Sequence, residues 1–149
     1  MAAVEIVKML PEHIDGVMVV ENLSFSIPWS RDSFMDEVTI NTFARYFCAK
    51  SNETVIGYAG MWKVFDEGHI TNIAVHPEFR NTGIGSLLME HLIQAAKGED
   101  ITSMTLEVRK GNSAAIRLYE KYNFSVQGVR RGYYADNRED ALIMWKTDI

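Results

Sequence analysis

The 149-residue chain has little that could hold it together other than packing: one cysteine, Cys48, and three prolines, Pro11, Pro28 and Pro77. A lone thiol forms no internal disulfide and supplies no paired-cysteine zinc spacing, which excludes a disulfide scaffold and fits a reducing compartment. Three prolines and ten glycines are too few for a collagen-like repeat or a disordered low-complexity chain. No apolar run approaches the ~18 residues that span a bilayer. The segment Met1 to Lys8 lacks the basic stretch and apolar run of a secretory leader, so a soluble, cytoplasmic protein with no membrane partner is expected. The four histidines, His13, His69, His76 and His91, fall at no paired metal-binding spacing, and no metal is expected. A Gly-x-Ser-x-Gly nucleophile elbow is also missing, which argues against a serine acyl-enzyme.

What the chain does have is 47% hydrophobic residues, enough at this length for one self-sufficient core over residues 1–149. Its net charge of -5 is unevenly placed. Between Arg109 and Arg138 lie seven basic residues against two acidic ones, leaving eight basic and eighteen acidic residues elsewhere. An acidic body with a basic carboxyl-terminal part can hold an anionic ligand and attract a basic partner, and it argues against direct nucleic-acid binding.

Periodicity gives the order of elements. Val4 to Lys8 reads as a strand, and Pro11 opens a helix carrying Ile14, Val17, Met18 and Leu23. Ser30 is placed to cap a second helix with Phe34, Met35 and Val38. Arg45 to Ala49 and Thr54 to Phe65 read as a hairpin about Ser51-Asn52-Glu53, and a turn at Asp66-Glu67-Gly68 leads into a strand from His69 to Val75. From Gly83 the period becomes helical through Ile84, Leu87, Leu88, Leu92 and Ala95, with Lys97-Gly98 as the expected end. A strand from Ser103 to Arg109 alternates Met104, Leu106 and Val108 against Thr105, Glu107 and Arg109. Asn112 caps a short helix, and strands follow at about Ser125 to Tyr134 and Asp140 to Trp145. The expected fold is α/β, a mixed central sheet with helices on both faces.

The chemistry concentrates where an apolar strand ends at Ile73-Ala74-Val75 and Gly83-Ile84-Gly85-Ser86 opens an amphipathic helix. A helix amino terminus leaves backbone N–H groups unpaired and carries positive partial charge, while glycine removes the Cβ that would keep phosphate oxygens away. The spacing is neither a Rossmann fingerprint, since Leu88 stands where the third glycine belongs, nor a Walker loop. Arg80-x-x-Gly83-x-Gly85 after Ile73-Ala74-Val75 resembles the acetyl-CoA loop of the GCN5-related N-acetyltransferases. The blocks Leu106-Glu107-Val108-Arg109, Asn112-Ser113-Ala114-Ala115-Ile116, Leu118-Tyr119-Glu120 and Asn123-Phe124 are similar to those of the ribosomal-protein-alanine N-acetyltransferases of RimI type. Pro28-Trp29-Ser30, Arg130-Arg131-Gly132-Tyr133-Tyr134 and Glu139-Asp140-Ala141 carry the same resemblance. Gly132 stands where that family usually has Asn, Ala135 where it has Pro, and Asn123 where it has Gly; the first two departures are expected to loosen the loop over the acceptor.

The resemblance implies a GNAT fold and transfer of acetyl from acetyl-CoA to the terminal alanine of a small-subunit ribosomal protein, by direct attack in a ternary complex. The partners implied are acetyl-CoA and the amino-terminal peptide of that protein. It further implies that Ile73, Ala74 and Val75 hold the acetyl and pantetheine part, that Asn81, Thr82, Gly83, Ile84, Gly85 and Ser86 hold the pyrophosphate, and that Asn112 also contacts the cofactor. Glu107 is implied as the base and Tyr119 as the proton donor to the departing thiolate. These roles suit the chemistry: a peptide α-amine has a pKa of about 7.7–8.0 and is a modest target for a carboxylate, while a phenol near pKa ~10 is protonated at neutral pH. Arg130, Arg131, Tyr133 and Tyr134 read as possible walls of an acceptor groove, and Cys48 as structural. Transfer to a lysine side chain, a small amine or broader protein termini stays open on these motifs, as does a coenzyme A-binding module without turnover.

Overall fold

The structure, a computed structural model, describes residues 3–149. Met1 and Ala2, part of the segment read above as carrying no leader, lie outside the described residues. The elements run β1 (Val4–Lys8), a 3-10 turn (Pro11–His13), α1 (Ile14–Ser24), α2 (Arg31–Thr39), β2 (Ala44–Ser51), β3 (Thr54–Val64) and β4 (Glu67–Val75). A second 3-10 turn (Pro77–Phe79) is followed by α3 (Ile84–Gly98), β5 (Ser103–Arg109), α4 (Ser113–Lys121), β6 (Ser125–Arg130) and β7 (Ala141–Lys146). The strands form one sheet in the order β1-β2-β3-β4-β5-β7-β6, antiparallel except where β4 meets β5. Among the described residues no helix is long and apolar enough to cross a membrane.

Two apolar clusters cover the two faces of the sheet, as the expected α/β architecture requires. On one face Ile84, Leu88, Met89, Leu92 and Ala96 of α3 and Tyr119 of α4 pack on Ile56, Met61, Met104 and Leu106. On the other, Ile14, Val17 and Val20 of α1 and Phe34 of α2 pack on Tyr46, Cys48 and Tyr58. Cys48 is fully buried and its thiol is pushed up to about 12 by burial, which fits the structural role read for it. The caps behave as their residue types dictate: Ser30 Oγ accepts from Ser33 N–H at 3.1 Å, Asn112 Oδ1 accepts from Ala115 N–H at 3.2 Å, and Asn123 takes φ 69° after α4.

Several local expectations are corrected. Leu23 is more than half exposed, because nine residues past Ile14 at 100° per residue lies on the opposite side of the helix; position 21 falls on the buried stripe instead. The turn before β4 is tighter than read, with Phe65 at φ 56° and pairing resumed at Glu67. Gly98 is the last residue of α3, and Asp100, at φ 59°, makes the left-handed turn beyond it. β6 stops at Arg130, so residues 131–140 form a loop.

One irregularity positions the site. In the β3–β4 ladder Gly60 pairs with Asn72 and Met61 with Ile70, so Thr71 has no partner of its own. The extra residue shifts the side-chain parity of β4: Ile70 packs toward α3, Ile73 and Val75 do the same beyond the bulge, and Ala74 joins the α1–α2 cluster. A bulge bends and twists its strand. Accordingly β4 pairs with β5 only through Glu67–Ser103, Gly68–Met104 and His69–Thr105, and the two strands part beyond that point. Tyr46 secures the arrangement, its hydroxyl 2.6 Å from Thr71 Oγ1 and its ring lying on Gly60, where a Cβ would come within 2.2 Å of it. Gly60→Ala is therefore expected to cost about 1–3 kcal/mol of stability by overpacking, read from the urea midpoint. Tyr46→Phe, which removes only the hydroxyl bond to Thr71, should cost less.

Candidate active site

Where β4 and β5 part, a cleft of about 1040 Å³ opens. Its walls include Ile73, Ala74 and Val75 from β4, Asn81, Gly83, Ile84, Gly85 and Ser86 from the loop and start of α3, Glu107 from β5, and Asn112 and Tyr119 from the segment that enters and forms α4. Every site residue expected from sequence lines this one cleft except Thr82, whose hydroxyl is turned back onto the carbonyl of Phe79.

The cleft edge of β4 offers backbone groups. His76 N–H donates to Ile56 O at 2.8 Å, and because directions alternate along a strand, the N–H and C=O of Val75 point the other way, into the gap left by β5. Arg80 Nε donates to Val75 O at 3.1 Å, which satisfies the carbonyl and leaves the N–H as the donor at the gap. The loop after β4 then turns sharply, with Asn81 at φ 63° and Gly83 at φ 88°. Leu87 N–H donates to Gly83 O, so the backbone N–H groups of the residues just before Leu87 have no partner in the preceding turn of α3. Open space surrounds the α-carbon of Gly83 where a Cβ would stand, and a Cβ at Gly85 would meet Leu118 Cδ2 at 3.2 Å. Gly85 thus allows α3 to start close against α4, while Gly83 supplies the left-handed turn. Lys121 Nζ stands 3.2 Å from Ser86 Oγ and adds positive charge at this end.

Glu107 and Tyr119 face each other's territory from different environments. Glu107 points away from the buried Met104, Leu106 and Val108, and its carboxylate pairs with Arg130 of β6, Nε to Oε2 at 2.8 Å. Tyr119 is buried at the cleft floor against Phe124, and burial raises its phenol pKa so that the hydroxyl stays protonated at neutral pH.

The opposite rim is built from two loops that the sequence reading singled out only in part. Phe25, Ile27 and Trp29, between α1 and α2, face Tyr133, Tyr134 and Ala135, between β6 and β7. Ser26 Oγ donates to Asp136 Oδ2 at 2.6 Å, and Arg109 holds the same carboxylate through Nη2 at 2.9 Å. Arg109 also donates to Glu139 and lies 4.0 Å from the Tyr134 ring centroid. Of the four residues read as groove walls, Tyr133 and Tyr134 line the cleft, while Arg130 and Arg131 do not, Arg130 being turned onto the Glu107 carboxylate. Gly132 sits at φ 59° with its N–H donated to Asp140 Oδ1 at 2.9 Å, a left-handed position that Asn also tolerates.

Glu21 is the group that the sequence reading missed. Only 1% exposed, it accepts from Trp29 N–H at 2.8 Å and from the Tyr58 hydroxyl, and it borders the cleft. Its place seven residues after Ile14 on an apolar helical stripe was the available signal. Burial raises its pKa, against the lowering effect of both hydrogen bonds. A carboxyl whose folded pKa lies above its unfolded one contributes stability below the unfolded value, and that contribution is lost as pH rises through the folded value. Glu21→Gln is consequently expected to gain stability relative to the parent as pH rises from about 4 to 7, measured by urea denaturation at fixed ionic strength; a constant difference across that range would show no shift.

A gap between parallel strands, the glycine-opened start of α3, a carboxylate and a buried phenol thus border one cleft. The family model described as Acetyltransferase (GNAT) family matches residues 14–124, and the chain belongs to that family of N-acetyltransferases. The Escherichia coli (strain K12) ribosomal protein bS18-alanine N-acetyltransferase is 38% identical over 129 residues, 84% of each chain. A Bacillus subtilis (strain 168) protein that carries the same designation provisionally is 42% identical over 136 residues, 91% of this chain and 90% of its own. A crystal structure of the ribosomal-protein-S18-alanine N-acetyltransferase from Escherichia coli matches with a TM-score of 0.89 and 31% identity, covering 99% of this chain and 96% of that one.

Proposed function

We propose that this N-acetyltransferase moves acetyl from acetyl-CoA to the α-amine of an amino-terminal alanine of a small-subunit ribosomal protein, by direct attack in a ternary complex. The observation that supports the chemistry is one shared cleft: the glycine-opened start of α3 lies at one end, Glu107 and the α1–α2 and β6–β7 loops at the other, and the open edge of β4 between them. The alanine acceptor rests on the names of the relatives in Escherichia coli and Bacillus subtilis.

The residues present fit acetyl-CoA. Gly83 leaves room for phosphate oxygens at the start of α3, unpaired N–H groups and Lys121 supply positive charge there, and the apolar side chains of Ile73 and Val75 border the path inward. Gly83, Ile84, Gly85 and Ser86 would hold the pyrophosphate, with Asn81, Thr82 and Asn112 around them, and Ile73, Ala74 and Val75 would hold the pantetheine and acetyl end. Bound there, acetyl-CoA supplies an activated acyl group as a thioester.

The protein's own groups then do three things. The Val75 N–H, freed from the sheet by the parting of β4 and β5, donates to the acyl oxygen as negative charge grows on it. Glu107 takes the proton from the attacking amine, directly or through water, with Arg130 holding one carboxylate oxygen. Tyr119, kept protonated by burial, returns a proton to the departing thiolate. Asp136, Ser26 and Arg109 tie the acceptor-side loops together so that the amine reaches Glu107 along a defined path.

Two short peptides, each with an internal lysine and differing only in a free or blocked terminal alanine, test the acceptor. Acetylation of the free terminus alone is expected; transfer to both peptides would make lysine the acceptor and contradict the proposal. Glu107→Gln and Tyr119→Phe are each expected to lower kcat by about 10²–10⁴-fold with acetyl-CoA affinity nearly unchanged, checked by steady-state kinetics and calorimetry. Unchanged turnover in both would remove them from the chemistry.

A further inference from the structure

Glu21 borders the cleft and is buried, yet no step of acetyl transfer uses it. It lies near the end of α1, where an apolar side chain would simply extend the buried stripe of Ile14, Val17 and Val20. A buried carboxylate is costly unless its charge is met, and Glu21 makes no ion pair among the described residues. Two hydrogen-bond donors meet it instead. The Tyr58 hydroxyl, itself fully buried, donates to Oε1, and the Trp29 backbone N–H donates to Oε2 at 2.8 Å.

The same residue closes both ends of a loop. Phe25 N–H donates to the Glu21 carbonyl at 3.1 Å, which ends α1, and Trp29 N–H returns to the Glu21 carboxylate. The segment Phe25-Ser26-Ile27-Pro28-Trp29 thus starts and finishes at one side chain and its own carbonyl. Pro28 has no N–H and a fixed φ, so Trp29 carries the first donor after it, just ahead of the Ser30 cap of α2. Between the two anchors Phe25, Ile27 and Trp29 line the cleft, and Ser26 reaches Asp136 on the facing loop. Trp29 also rests on Phe34, ring centroids 5.4 Å apart. An ionised carboxylate accepts at both oxygens, whereas an amide of the same shape accepts at one end and donates at the other. With Tyr58 and Trp29 both donating, the carboxylate alone satisfies the pair as they stand.

We propose that Glu21 is a positioning residue for acetyl transfer: its buried carboxylate fixes the loop from Phe25 to Trp29 and so sets the path by which the acceptor reaches Glu107. This rests on the acceptor side of the cleft as read above and deepens it. Function and stability are opposed at such a position, because the charge that holds the loop is also a charge taken out of water. That opposition separates positioning from plain structural support, in which activity falls only as stability falls.

The test compares the parent enzyme with Glu21→Gln and Glu21→Leu by urea denaturation at pH 7, by steady-state kinetics on a terminal-alanine peptide, and by residue-resolved amide exchange without ligands. Glu21→Gln is expected to match or exceed the parent's stability, since removing a buried charge offsets the weaker hydrogen bonds. Its acceptor KM should nevertheless rise about tenfold, the difference between a charge-assisted and a neutral hydrogen bond, with the acetyl-CoA KM within about twofold of the parent's. Glu21→Leu, which offers no acceptor atom, should raise the acceptor KM further, and the Trp29 amide should exchange faster in both variants. An unchanged acceptor KM in Glu21→Gln, or a Trp29 amide as protected in both variants as in the parent, would overturn the proposal. So would both KM values rising together with a loss of stability, the pattern of structural support alone. If the parent acetylates no terminal-alanine peptide, the acceptor reading fails by itself, and Trp29 exchange still decides whether Glu21 holds the loop.

Discussion

The site depends on the point at which β4 stops pairing with β5. One unpaired residue, Thr71, bends β4 so that only its first three residues stay bonded to β5, and the backbone beyond becomes an open edge inside the molecule. An open edge is ordinarily a liability, since its N–H and C=O groups seek partners. Here it has a use. Arg80 satisfies the carbonyl of Val75 and leaves its N–H facing the gap, the donor that the proposed reaction assigns to the acyl oxygen. The close approach of the Tyr46 ring to Gly60, together with the Tyr46–Thr71 hydrogen bond, holds the bulge at that residue and no other.

A string of polar groups under the sheet connects this irregularity to the acceptor side. The bulge brings Thr71 and Asn72 toward the α1–α2 layer, where the Tyr46 hydroxyl meets the first and the Tyr58 hydroxyl faces the second. Tyr58 in turn donates to Glu21, and Glu21 accepts from the Trp29 backbone. Buried polar groups are costly unless bonded, and none of the described buried side-chain N or O atoms lacks a partner. Ser26, Asp136 and Arg109 then join the Trp29 loop to the β6–β7 loop across the cleft. The site is therefore braced from the strand bulge through α1 to the α1–α2 and β6–β7 loops.

Much of this was legible in the sequence because local signals agreed with one another. The alternation in Ser103–Arg109 put Glu107 opposite the core, Asn112 and Ser30 announced their helices, and the glycine spacing at Gly83 and Gly85 marked the turn that opens α3. What stayed hidden is what pairing between distant segments decides. Neither the bulge at Thr71 nor the partial β4–β5 ladder follows from any single window, and each depends on Tyr46 meeting Gly60 across the sheet. Glu21 went unread for a different reason: an acidic residue on an apolar stripe looks like a stripe boundary until Tyr58 and the Trp29 backbone are seen to satisfy it.

In the proposed reaction the gap beyond His69 and Thr105 is where acyl donor and protein meet. Residue-resolved amide hydrogen exchange with and without acetyl-CoA tests it most directly. Slowed exchange is predicted at the gap-facing Val75 amide and at the amides of Gly83 to Ser86, with little change along β2 or β6. Protection that spared Val75 and the start of α3, or that fell mainly on β6, would contradict it.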